Sequence, residues 1–432
     1  MVEHIHNYTF LEELMNKNRI RDPVHGFIRF SDREKAVLDS PQMQRLKNIK
    51  QLAFTYYVYP GAMHSRFEHS LGVMYLAGLI FQCISLNSKE LMDEALKNML
   101  DADKVLEIIR LAALLHDIGH LPFSHSGEAV LPDNKRHEDV SVEMILEMKN
   151  WLDNLYFSGA TELVVKLLIG NIPPELKFLA DILAGQVDAD RIDYLLRDSL
   201  HCGVGYGNFD YRRLIECLTV CESDTGIELA IQRGGFHTLE ALVLARYYMF
   251  TQVYEHRTRR IYDIYLAEVM KQLGFNLTPL SRVVEHDDIS VCMNIRAKAS
   301  EERKQGKKSL ATRLISREHH SMIYETSDFA DVRDQQIALE IYSMLVEKFP
   351  NYEFIIDSNG CGGNIHKFYV DGDEEEGVYF YVVADNGEKK LISEESKIIG
   401  KIHKKFRVIR IYTDQKEKDT LQKIKSVIYE GR

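Results

Sequence analysis

From about Asp39 to Ile323, apolar residues recur at i, i+3 and i+4, with few prolines and few alternating stretches. That spacing lines one face of an α-helix and predicts a mostly helical domain. Four stretches carry it most clearly: EHSLGVMYLAGLIFQCISL, ADKVLEIIRLAALLHDIGH, LADILAGQVDADRIDYLLRDSL and HTLEALVLARYYMFTQVYEHRTRRIYDIYLAEVMKQL. RDPVHGFIRFS, beginning at Arg21, departs from the pattern and predicts a turn followed by a strand.

Beyond about residue 325 the character changes. NYEFIIDS, HKFYVDGDEEEGVYFYVVAD and FRVIRIYTD are short aromatic and β-branched runs, separated by turns rich in Gly, Asp and Asn. Helical patterns at 331–348 and 415–429 flank them, which predicts a small α+β lobe. The expected organisation is an N-terminal extension over 1–17, a helical domain over 18–325 and the lobe over 326–432. Between the two, the charge run KASEERKQGKKS reads as an exposed flexible loop.

Composition narrows the class. The 432 residues are 45% hydrophobic and 28% charged with nine prolines, as expected of a folded chain with a sizeable core. A net charge of −11 argues against general affinity for nucleic acid or anionic membrane. Cys83, Cys202, Cys217, Cys221, Cys292 and Cys361 form no CxxC pair, so reduced thiols and a cytoplasmic location are expected. The N-terminus lacks the apolar stretch of a signal peptide, and the run Leu71 to Phe81 is too short to span a bilayer.

The candidate chemistry lies in LAALLHDIGHLPFSH, where His116, Asp117, His120 and His125 close an apolar run. Burying an unpaired polar side chain is unfavourable by several kcal/mol, so these residues need partners. A second HD pair, His286 and Asp287 in VVEHDDIS, stands in a polar stretch with Asp288 as the expected helix N-cap, and reads as structural. His116 and Asp117 differ because two further polar residues interrupt apolar helices, His69 in RFEHSLGV and Asp190 in QVDADRIDYLL. Two imidazoles and two carboxylates suit a divalent metal ion (Mn, Mg, Fe, Zn or Ni) and leave positions open for water and substrate. Asp190, Tyr194 and Asp198 fall at i, i+4 and i+8, on one helix face.

Together RFEHSLGV, LLHDIGHLPFSH, RHEDVS and DADRIDYLLRD, in the order H…HD…D, resemble the HD-domain superfamily of metal phosphohydrolases. DPVHGFI, DSPQMQRLKNIKQL and YYVYPGAMHSRFEHSLG narrow the resemblance to the deoxynucleoside triphosphate triphosphohydrolases related to the SAM-and-HD-domain dNTPase, without the SAM domain. It runs from about Asp22 to Glu325 and implies an HD-type helical bundle that cleaves dNTPs to deoxynucleoside and inorganic triphosphate.

Carried over by position, the resemblance implies metal ligands His69, His116, Asp117 and Asp190. It implies Gln51 and Asp198 at the 3′-hydroxyl, Leu52 and Tyr254 against C2′, Tyr194 at the sugar, and Arg66, Arg191 and Arg246 on the triphosphate. His137, held by Glu138 or another acid, and His125 are candidates to protonate the 5′-oxygen, with His120 along the α-phosphate. A nucleotide activator and a homo-oligomer, a tetramer favoured, are also implied, with Asp39, Gln44, Lys47, Arg213, His256 and Arg257 as regulatory contacts. Three positions depart from the nearest family pattern: Phe250 replaces a histidine, Arg191 a lysine and Lys47 an arginine. The rival readings are an HD-family phosphodiesterase or phosphomonohydrolase, and a nucleotide sensor without catalysis.

Overall fold

The computed structural model describes residues 18–430 apart from 98–100, 133–134, 225, 276, 278, 359–363, 370–376 and 403. The expected extension over 1–17, Cys361 and part of the HKFYVDGDEEEG run lie outside the described residues. The chain is mainly α, a helical bundle with small sheets.

Helices begin where the sequence supplies caps. Asp101 accepts the Lys104 N–H to open Ala102–Leu115, and Asp188 accepts the Arg191 N–H to open Ala189–Cys202. The stretch expected as one helix from Leu179 is therefore two, Lys177–Ala184 and Ala189–Cys202, interrupted at Gly185 and restarted by Asp188. Likewise the long pattern from His237 divides into Phe236–Met249, a π-helical turn Phe250–Tyr254, and Arg257–Leu273.

The KASEERKQGKKS loop is corrected: the Asp288–Lys304 helix runs through its first half. Ala299 is buried there, and the Lys298–Glu302 ion pair at 3.2 Å spans one turn, so the charges decorate a helix face. The cap of that helix is Asp287, whose carboxylate accepts the Ser290 N–H at 2.8 Å, rather than Asp288.

Strands β1 (Asn18–Asp22) and β2 (Gly26–Phe30) form the hairpin containing the expected turn. β3 (Leu218–Ser223) and β4 (Gly226–Gln232) form a second hairpin inside the region expected to be helical. β5 (Ser321–Glu325), β6 (Phe354–Asp357) and β9 (Arg410–Thr413) make an antiparallel sheet in the order β5-β9-β6. Helices Val332–Lys348 and Lys418–Glu430 pack on it through Ala338, Ile341, Leu345, Ile424 and Ile428. β7 (Tyr381–Val383) and β8 (Lys389–Leu391) extend the β3–β4 sheet, and Phe368, Phe380, Val382 and Phe406 join the main core.

The Arg66–Asn87 helix, at 22 residues, is long and apolar enough to cross a membrane by length and composition, but most of it is buried in the bundle. At Gly72 it meets the Ala189–Cys202 helix so closely that a Cβ would lie 1.8 Å from Asp193 Oδ1. Gly119 likewise lets the HD turn approach the His137–Glu147 helix, where a Cβ would lie 2.2 Å from the Ser141 nitrogen.

Candidate metal centre and active site

Three helices deliver the first group of side chains. His69, one turn into Arg66–Asn87, sets Nε2 3.0 Å from Asp190 Oδ1 and 3.6 Å from Asp117 Oδ2. His116 caps the C-terminal end of Ala102–Leu115 and donates Nδ1–H to the Ala113 carbonyl at 2.7 Å. Its Nε2 therefore carries a lone pair, lies 3.3 Å from Asp117 Oδ1 and 3.9 Å from Asp190 Oδ1, and makes no hydrogen bond. A buried lone pair facing carboxylate oxygens is unfavourable unless a cation stands between them. The donor atoms of His69, His116 and Asp117 lie within 4.8 Å of one another and could hold a divalent ion, with Asp190 alongside.

The surrounding groups keep this set charged and oriented. Burial pushes the Asp117 carboxyl up, but Arg66, His116 and His120 outweigh it and hold the group well below the usual carboxylate range. His69 donates Nδ1–H to Asp193 at 2.8 Å, which frees its other nitrogen for a metal. Asp193 also accepts from His25 Nε2 at 2.7 Å and from Arg197 Nε and Nη2 at 2.8 and 2.9 Å; Arg197 reaches Asp22 at 2.8 Å. The sequence pattern did not single out Asp193, Arg197, His25 or Asp22. The i, i+4 Asp193–Arg197 pair inside RIDYLLRD was the available signal.

A second group lies beyond Asp117. His125 Nδ1 and His137 Nδ1 both contact Glu128 Oε1, at 2.8 and 2.7 Å, and the His120 ring stacks on His137 with centroids 3.7 Å apart. Donor atoms of these four residues also lie within 4.8 Å of one another. Parallel rings project their in-plane lone pairs side by side rather than towards one point, and Glu128 Oε1 is already shared by two N–H groups. The arrangement is two imidazoles hydrogen-bonded to one carboxylate, with the His120 ring stacked against that of His137. Burial raises the Glu128 pKa, yet the bonds from His125 and His137 bring it down to about 2, so it is ionised. Glu138 is a more distant, exposed partner of His137, at 3.3 Å. Glu128, three residues after His125, was not singled out from sequence.

The remaining candidates flank the first group. Arg66 donates to Asp117 through Nη1 and to Ser124 Oγ at 2.8 Å through Nε. Asp198 accepts from Tyr254 OH at 2.6 Å and from His64 Nε2 at 2.7 Å, and the Tyr194 and Tyr254 rings meet edge to face at 6.2 Å. Gln51 and Leu52 are buried, Gln51 with an unpartnered Oε1. Arg191 lies 3.1 Å from Asp188, and Arg246 lies over the Phe250 ring at 5.5 Å with its Nε unpartnered.

The HD domain pattern matches residues 66–198 and the HD-associated region residues 209–343. An uncharacterized protein of Methanocaldococcus jannaschii is 32% identical over 375 residues, covering 86% of this chain and 73% of that protein. The chain belongs to the HD-domain family. Deoxynucleoside triphosphate triphosphohydrolase SAMHD1 of Gallus gallus is 34% identical over 58% of the chain, which spans 44% of that longer relative. The crystal structure of a phosphohydrolase from Bacteroides thetaiotaomicron superposes with a TM-score of 0.71 at 26% identity, covering 92% of this chain and all of that one. This HD-domain protein is accordingly a hydrolase of the HD phosphohydrolase class whose cofactor is a divalent metal.

In the HD-domain protein the candidate regulatory residues stand on separate elements. Asp39 pairs with Lys35 at 2.5 Å, and Lys47 reaches Gln44 at 2.7 Å. Arg213 is exposed on Tyr211–Glu216. His256 accepts the Thr258 N–H as a helix cap, and Arg257 lines a cavity of about 300 Å³ with His319, Tyr412 and Lys425.

Proposed function

We propose that this protein hydrolyses deoxynucleoside triphosphates at the α-phosphorus, releasing a deoxynucleoside and inorganic triphosphate. The observation that carries the reading is one helix face bearing both Asp190, at the metal group, and Asp198, hydrogen-bonded to Tyr254 at 2.6 Å. A phosphate at the former puts a sugar within reach of the latter. The relatives named as deoxynucleoside triphosphate triphosphohydrolases support the same substrate class.

His69, His116, Asp117 and Asp190 would hold the metal. A divalent cation there supplies Lewis acidity towards a phosphoryl oxygen and acidifies water. Arg66, Arg191 and Arg246 bind the triphosphate, guanidinium forks matching phosphate oxygens. Gln51 and Asp198 bind the 3′-hydroxyl, Asp198 through lone pairs that its bonds to His64 and Tyr254 leave over. Leu52 and Tyr254 pack where a ribose 2′-hydroxyl would sit. Water attacks the α-phosphorus, the bond to the 5′-oxygen breaks, and that oxygen takes a proton. Glu128 accepts Nδ1–H from both His125 and His137, so each ring presents Nε2 to the site, and the imidazolium form of either ring would donate its Nε2 proton.

Incubation with Mn and each dNTP, resolving nucleoside from triphosphate, tests the reading. Free triphosphate is expected, whereas a nucleoside monophosphate with pyrophosphate would refute it. The reading extends to nucleotide activation within a homo-oligomer, a tetramer favoured. One dNTP should then accelerate hydrolysis of another and shift the protein towards a larger assembly. Asp39→Ala should lose the acceleration and keep its metal. Equal rates in single and mixed dNTPs, identical in the variant, would leave an unregulated enzyme.

A further inference from the structure

Phe123 and Ser124, which join His120 to His125, have φ of +62° and +57°. Two successive side-chain-bearing residues in the left-handed region are held against their own preference and need an external brace. The brace comes from the residue that follows the second HD pair, His286 and Asp287. Asp288, 1% exposed, accepts the Phe123 N–H at 2.6 Å through Oδ1 and the Lys50 N–H at 3.0 Å through Oδ2. Ser124 Oγ closes the junction by donating to the Lys50 carbonyl at 2.7 Å while accepting Arg66 Nε. Arg45 ties the start of the same turn, donating to the His120 carbonyl at 2.7 Å and the His286 carbonyl at 2.6 Å.

One carboxylate thus joins two segments. Lys50 precedes Gln51, and Ser124 precedes His125. We propose that Asp288 is a positioning residue: it holds the 120–125 turn in its left-handed form and so registers His120 and His125 against His137 and Glu128. The inference rests on hydrolysis at this site and adds to it a residue outside both the metal group and the substrate contacts.

Asp288→Asn tests it, because the amide keeps an oxygen for one N–H and turns an NH₂ towards the other. The expected result is a kcat for dNTP hydrolysis about 10- to 100-fold lower, since small misplacements of a catalytic group have effects of that order. KM should stay within about threefold and the metal content should be unchanged, because Asp288 holds geometry rather than ligand. In a crystal structure of the variant, Phe123 and Ser124 should leave the left-handed region while His69, His116, Asp117 and Asp190 keep their places.

A wild-type kcat, a change confined to KM or metal content, or an unaltered turn would overturn the proposal. If Asp288→Asn does not fold, Asp288→Glu, which keeps the charge beside Lys50 but lengthens the arm, is measured by the same readouts. Failure of both to fold would also overturn it, assigning Asp288 to stability alone. Wild-type protein inactive on every dNTP would count against the hydrolase reading instead, and the conformation of the turn would still decide the role of Asp288.

Discussion

At His116 the Nδ1–H is committed to the Ala113 carbonyl, so the ring can offer a ligand only Nε2. His116→Ala or Asp117→Ala should abolish hydrolysis and lower the metal bound per chain, measured by elemental analysis. His69 is protonated in the metal-free protein: burial pushes it down, but Asp190 and Asp193 outweigh this and raise it from 6.5 to about 10. A raised pKa contributes stability that is fully present below about 6.5 and is lost as pH rises through about 10. Melts of chelator-treated protein should fall across that window. A cation must displace this proton, so calorimetry in buffers of different ionisation heat should detect about one proton released per metal at neutral pH. No release would contradict the His69 assignment. Glu128→Gln removes the charge facing His125 and His137 and should lower kcat about 10- to 100-fold at unchanged metal content. His69, His116 and Asp117 were legible because each interrupts an apolar pattern. Glu128 was not, because a lone acid on a mixed stretch carries no such contrast, and Asp193 was not, because it stands among Asp188, Asp190 and Asp198 and only its i, i+4 spacing to Arg197 marks it.

Among the elements, the Arg66–Asn87 helix is buried around most of its circumference, and Gly72 is where the Ala189–Cys202 helix comes against it. Gly72→Ala would drive a Cβ onto Asp193 and to 2.6 Å from Arg197 Nη2. Overpacking of this kind is unfavourable by about 1–3 kcal/mol. The variant should unfold at lower denaturant and bind metal more weakly, because Asp193 orients His69. Wild-type metal affinity in a folded Gly72→Ala protein would separate the helix contact from the metal site. Helices were legible at this scale because the 3.6-residue period is written locally. The β3–β4 hairpin was not, since both strands are buried along most of their length and show little of the polar alternation that marks a strand.

Across the molecule, the β5-β9-β6 sheet is joined to the bundle by buried ion pairs. Arg260 of Arg257–Leu273 binds Asp357 of β6 through two bonds of 3.0 and 3.1 Å, and Arg410 of β9 lies 3.7 Å from Glu255. Losing one partner of a buried pair costs about 3–5 kcal/mol only where the other charge is left uncompensated. Arg260 keeps Glu255 at 3.6 Å and Asp263 at 3.5 Å, so the expected cost is that of lost charged hydrogen bonds, about 1.5–3 kcal/mol. Asp357→Ala should therefore lower unfolding stability by an amount of that order, read from denaturant melts. A loss below about 1 kcal/mol would place the pair among weakly coupled surface bridges.

The helical class, the turn at Asp22, the change of character near residue 325 and the H…HD…D set were determined by the sequence alone. Each is a contrast between neighbours a few residues apart, in period or in polarity, and such contrasts survive without a fold. Tertiary structure decided which acid serves which histidine, that Gly72 marks a helix crossing, and that Asp288 braces Phe123. Asp288 and Phe123 are separated by 165 residues, and His25 and Asp193 by 168. No local pattern records such a pairing, because only the packed backbone brings those atoms within hydrogen-bonding distance.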